Sequence, residues 1–173
     1  LTRGELDRAL ALYQESLALL EQLGDKKGKA ASLHQMAQVY LTRGELDRAL
    51  ALYQESLALK EQLGDKKGKA ASLGGVANLY MQKGEWDQAV KCLDEALILA
   101  RALQAIDLVA FNTVKLGQVA QARGDIETAS ARYREGFAIF ERLGMPEARQ
   151  VQEMLARLEG GPARGRGGRL AGA

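Results

Sequence analysis

Apolar residues along this chain recur at helical rather than strand spacing. In KGKAASLHQMAQVYLTRG, the residues Leu33, Met36, Ala37 and Tyr40 follow the i, i+3, i+4, i+7 rule and form one stripe. The following GELDRALALYQESLALKEQLG places Leu46, Ala49, Tyr53, Ser56 and Leu57 on another. Gly44 separates the two stripes, and Gly64 with Asp65 follows the second. Glycine past a helix end can adopt the left-handed conformation, and an Asp after it can cap the next helix. The pattern predicts helix, tight turn, helix, short connection.

That unit returns. LTRGELDRALALYQESLAL opens the chain at Leu1 and is spelled again from Leu41. Residues 1–40 and 41–80 differ at six positions: Leu20/Lys60, His34/Gly74, Gln35/Gly75, Met36/Val76, Gln38/Asn78 and Val39/Leu79. Five of the six fall in one helix, which reads as the edge of a recent duplication. Further on the letters drift while the stripes persist, as Leu73, Val76, Ala77, Tyr80 with Trp86, Ala89, Leu93, Ala96, Leu97, then as Thr113, Leu116, Gly117, Ala120 with Ile126, Ala129, Tyr133, Gly136, Phe137. A fixed forty-residue period marks a stacked array whose units cannot each bury their own apolar face. The expected fold is all-α, an α-α superhelix of antiparallel helix pairs. Small residues at Ala37, Ala77 and Gly117, and at Ala49, Ala89 and Ala129, let paired helices approach closely.

These positions, with Tyr40 and Tyr80 and the turn glycines Gly44, Gly84 and Gly124, resemble the tetratricopeptide repeat (TPR) family over residues 1 to about 158. The usual unit has about thirty-four residues and often a Pro closing its second helix. The forty-residue unit without that Pro is similar to the repeats of kinesin light chains and of Leu-Gly-Asn repeat proteins. The register divides the chain into an unpaired second-type helix (1–24), units 25–64, 65–104 and 105–144, a closing helix (145–159) and a Gly/Arg-rich tail (160–173). Eight helices are expected. Leu6, Tyr13 and Leu17 on the unpaired helix call for cover, from further repeats of a longer array or from a second copy in a homo-oligomer. The closing helix carries the stripe Val151, Met154, Leu155, Leu158, with Glu147, Arg149, Gln152, Glu153 and Arg157 on its expected outer face.

Charge excludes more than it suggests. The net charge is +2, and three arginines (Arg164, Arg166, Arg169) lie in the acid-free tail, which leaves residues 1–159 at −1. A folded nucleic-acid binder would show a basic stripe, so no nucleic-acid partner is expected. No apolar run is long enough to span a bilayer and no basic leader opens the chain, so a cytoplasmic chain with no membrane partner is expected. Cys92 is alone and reads as a small core hydrophobe. His34 is the sole histidine, and no phosphate loop, dinucleotide fingerprint or metal-spaced cluster accompanies it, so neither enzyme activity nor a cofactor or metal is expected.

The TPR resemblance implies a peptide or protein ligand in a concave groove lined by first-helix positions. Carried onto this sequence, these are Ala31, His34, Gln38 and Leu41, then Ala71, Gly74, Asn78 and Met81, then Phe111, Val114, Gln118 and Gln121. Gln38, Asn78 and Gln118 are forty residues apart, and each primary amide offers a donor and an acceptor to an extended backbone. A carboxylate clamp is not supported, because Lys115 alone supplies a cation there. Trp86 falls in core register and His34 reads as a neutral surface residue.

Overall fold

The computed structural model describes residues 2–160, within which the chain forms eight α-helices and no strand. They are α1 (Arg3–Gln22), α2 (Lys26–Thr42), α3 (Leu46–Gln62), α4 (Lys66–Lys83), α5 (Trp86–Ala102), α6 (Ile106–Ala122), α7 (Ile126–Arg142) and α8 (Glu147–Glu159). The Gly/Arg-rich stretch from residue 161 lies outside the described residues.

The turns have a local cause. Gly84 ends α4 at φ 74, a conformation that L side chains adopt only under strain, and the same device recurs at every turn but one. Between α5 and α6 it is Gln104 that takes φ 54. The carboxylates of Asp25, Asp65 and Asp125 then accept hydrogen bonds from the N–H groups of Gly28, Gly68 and Thr128 at 2.9, 2.8 and 3.0 Å, starting α2, α4 and α7.

Packing follows the small-against-large pattern. Ala49, Ala89 and Ala129 are fully buried, as are Ala37 and Ala77, and Tyr53 and Tyr133 fill the space beside them. α2 pairs with α3, α4 with α5 and α6 with α7, while α2 touches α4 and α4 touches α6. The first helices of successive pairs therefore stand side by side along one face. On the outside the period is repeated in charge: Lys29 reaches Glu21 and Glu55 at 2.8 and 3.0 Å, and Lys69 reaches Glu61 and Glu95 at 3.2 and 3.0 Å. Such exposed pairs contribute little each, and here they mark a common stacking register.

Two expectations need correction. Leu6 is buried against α2, together with Leu10, and the large apolar residues left exposed are Leu12 and Leu19 of α1 and Leu23 just past its end. Glu147 does not sit on an outer face. It joins Gln150, Val151 and Met154 on the inward stripe of α8, because 147, 150, 151 and 154 share one helix face.

Candidate functional site

The inner face holds an open trough of roughly 500 Å³ bounded by α2, α4, α5 and α6. Leu41, Met81, Trp86 and Ala122 give it an apolar floor, and Thr42, Asn78, Gln82 and Gln118 supply polar edges. Asn78 and Gln118 also line a second hollow, about 210 Å³, that continues towards α8. Phe111 and Phe140 meet there edge to face with centroids 4.9 Å apart, beside Val114, Val151 and Met154. Trp86 thus plays two parts: it is half-buried against the core residues around Ala89 and Leu93 and still presents surface to the trough.

The structure gathers only part of the first-helix row. Leu41, Asn78, Met81 and Gln118 share the trough, and Phe111 and Val114 share the hollow beyond it. Gln38 is exposed but lies apart, lining a separate space of about 270 Å³ against α1 with Leu6, Tyr13 and Gln35. Gln121 is exposed, and its Oε1 accepts the Tyr133 hydroxyl at 2.7 Å. Gly74 is buried under α6, where a Cβ would come 3.0 Å from Asn112 Oδ1 and 3.2 Å from Lys115 Nζ.

His34 is not a surface residue. The residue is 9% exposed and its ring belongs to an interior chain of hydrogen bonds. With the Gln38 amide donating to Nε2 at 3.1 Å, the Nδ1–H donates to Ser72 Oγ at 2.9 Å. Ser72 also accepts from Lys60 Nζ at 2.7 Å. Burial, reinforced by the positive charges of Lys60 and Lys115, pushes the imidazole down to about 4 and keeps it neutral. Ser72 between a lysine and a histidine has the composition of an activated nucleophile, but it is fully buried and no substrate can reach it. Its work is to satisfy Lys60, which is itself buried and held below its ordinary range by desolvation.

Some lining residues were missed from the sequence although the signal was there. Val151 and Met154 stand forty residues beyond Phe111 and Val114, so α8 carries the same row one step further. Lys115 has no such precursor, since its counterparts are Gln35 and Gly75. Its Nζ donates to Gly74 O at 2.8 Å, and burial pushes it down to about 8. Among the described residues no helix is long and apolar enough to cross a membrane.

Three solved structures share this architecture. BtubC (BKLC) from P. vanneervenii aligns with a TM-score of 0.78 at 21% identity, covering 91% of this chain and 66% of that one. The apo form of RapI gives 0.78 at 17% identity, covering 91% and 44%. A putative kinesin light chain from Podosopora anserina with nearly identical TPR-like repeats gives 0.68 at 20%, covering 91% and 79%. At these identities the likeness shows the fold, and this chain spans about two-thirds of the first relative's length and under half of the second's. No curated protein matches. Residues 1–157 match the profile of the MalT-like TPR region, and the chain belongs to that family of TPR-like helical repeats.

Proposed function

We propose that the chain is an interaction module that holds an extended segment of a partner protein along the trough, with a regulatory or scaffolding rather than a catalytic role. TPR-like repeats generally mediate protein–protein interaction, which sets the class. The observation that carries the reading is the pair Asn78 and Gln118, which edge both successive hollows above an apolar floor. Each amide can donate to a backbone carbonyl and accept from an N–H while side chains settle between Leu41, Met81 and Trp86. Random displayed peptides selected on the full chain test it. Binding should fall at least about tenfold in the Asn78→Ala/Gln118→Ala variant and hold in Gln54→Ala on the outer helix α3. Peptides that bind the double variant undiminished overturn the reading.

A second reading, self-association through α1, is favoured by Leu12, Leu19 and Leu23 at 59%, 59% and 79% exposure. Sedimentation coefficients that rise with concentration, and cease to rise in Leu12→Glu/Leu19→Glu, would support it.

A further inference from the structure

We propose that the hollow between α6 and α8 anchors one uncharged apolar residue of the bound segment, whose peptide group is held by Lys115 on one side and Glu147 on the other. The inference rests on the groove reading and adds the chemistry that one end of the groove selects.

The hollow combines two unspent charges. Glu147 Oε2 is buried and has no hydrogen-bond partner among the described residues. Lys115 spends one N–H on Gly74 O and forms no ion pair among the described residues. An ammonium has three donors and a carboxylate only acceptors, so both retain capacity, and Glu147, which lines the hollow, meets a ligand by turning its buried Oε2 towards it. Burial holds Lys115 down to about 8, which still leaves it mostly cationic near neutral pH. Glu147 lies in the first turn of α8, where the helix dipole favours a negative charge.

These facts narrow the occupant. A carboxylate drawn to Lys115 would meet Glu147, and an ammonium drawn to Glu147 would meet Lys115, so a charged group of either sign is opposed. A neutral group with one acceptor and one donor satisfies both, and a peptide unit is such a group. Phe111, Phe140, Val151 and Met154 leave an apolar floor of single-residue scale in the roughly 210 Å³ available. The earlier units offer nothing equivalent, since the positions matching Lys115 hold Gln35 and Gly75. The groove therefore has a direction, with its anchoring end at α8.

The four methionines provide the readout, because Met154 lines this hollow, Met81 the main trough, and Met36 is buried away from both. The full chain carrying methyl-¹³C methionine is titrated with N-acetyl-leucine N′-methylamide, with N-acetyl-leucine and with leucine N′-methylamide. The neutral diamide should shift the Met154 methyl without moving Met36, at a concentration about tenfold below that required by either charged probe. Lys115→Met should weaken the diamide about tenfold, and Glu147→Gln should let the carboxylate probe gain on it. A silent Met154, or tightest binding by N-acetyl-leucine, overturns the proposal. Displayed peptides that depend on Asn78 and Gln118 beside a silent Met154 would sink this inference alone. Peptides that ignore those amides beside a responsive Met154 would sink the groove reading and leave the anchoring hollow.

Discussion

Residues 1–19 and 41–59 share every letter and meet different surroundings. In α3, Ala49, Tyr53 and Ser56 are fully buried, with α2 on one side and α4 on the other. In α1 the counterparts Ala9, Tyr13 and Ser16 are only partly covered, since among the described residues α2 is the helix that packs closely against it and nothing lies where α2 lies beside α3. Leu12 is 59% exposed while Leu52 packs against the core. Helix formation is a property of the letters, but burial is a property of the neighbours, and most stabilisation in such an array comes from the neighbours.

The sharpest test of that difference is Tyr53→Ala beside Tyr13→Ala. Truncating the enclosed ring should cost about 3–5 kcal/mol, whereas the half-covered one should cost well under half as much. Urea unfolding of the two variants measures both, and equal losses would mean that α1 is covered in solution.

The second difference is electrostatic. The repeated segment carries His34 in its first copy and Gly74 in its second, so at this position only the first has a group that titrates. Burial lowers the folded imidazole to about 4, below its unfolded 6.5, so the unfolded chain binds the proton first as pH falls. Stability from this group is complete above about 6.5 and is lost as pH falls through 4, by up to about 3 kcal/mol. Melting temperatures at pH 7.5 and 4.5 should converge less in the parent than in His34→Gln, which keeps a hydrogen-bonding side chain without the charge.

Much of this was legible because helical periodicity is local. The stripes, the turn glycines and the Asp caps each involve residues within one or two turns, and the helices form where those signals place them. Register also brought Asn78 and Gln118 to one trough. What stayed hidden depends on distant partners. Lys60 looks like a surface residue in its own helix, and it is buried because Ser72 receives it from the next helix. Gln38 shares its row with Asn78, yet His34 and α1 hold it elsewhere. Glu147 differs: helical spacing already sets it on the stripe of Val151 and Met154, and it was its polarity that assigned it to solvent.

A third test concerns position 75, one of the six differences. A Cβ added at Gly75 would fall 2.6 Å from the Tyr53 ring, so this glycine is what admits the ring against α4. Gln35, its counterpart facing Tyr13, is exposed and lines the open space beside it. Gly75→Ala should destabilise by about 1–3 kcal/mol despite its better helix propensity, while Gln35→Ala should stay within about 0.5 kcal/mol. Thermal melts that show the reverse would place the tyrosine difference in the missing neighbour alone.

The finest comparison is Ser56→Ala beside Ser16→Ala. Ser56 Oγ donates to Ala30 O at 2.7 Å from a fully buried position, tying α3 to α2. The Ala30 carbonyl lies inside α2 and has two lone pairs, so losing the hydroxyl leaves it its helical bond and no orphan. The expected loss is about 1 kcal/mol rather than the larger penalty of an unsatisfied acceptor. Ser16 has no helix on the corresponding side among the described residues, and alanine there should be neutral or a few tenths of a kcal/mol stabilising through helix propensity. The two serines share their neighbours as far as position +3, with Leu20 and Lys60 differing at +4, so propensity largely cancels between them and the difference in unfolding free energy reports the cross-helix bond together with the burial around it. If Ser16→Ala costs as much as Ser56→Ala, a neighbour occupies that face of α1 in solution and supplies the acceptor that α2 supplies to α3.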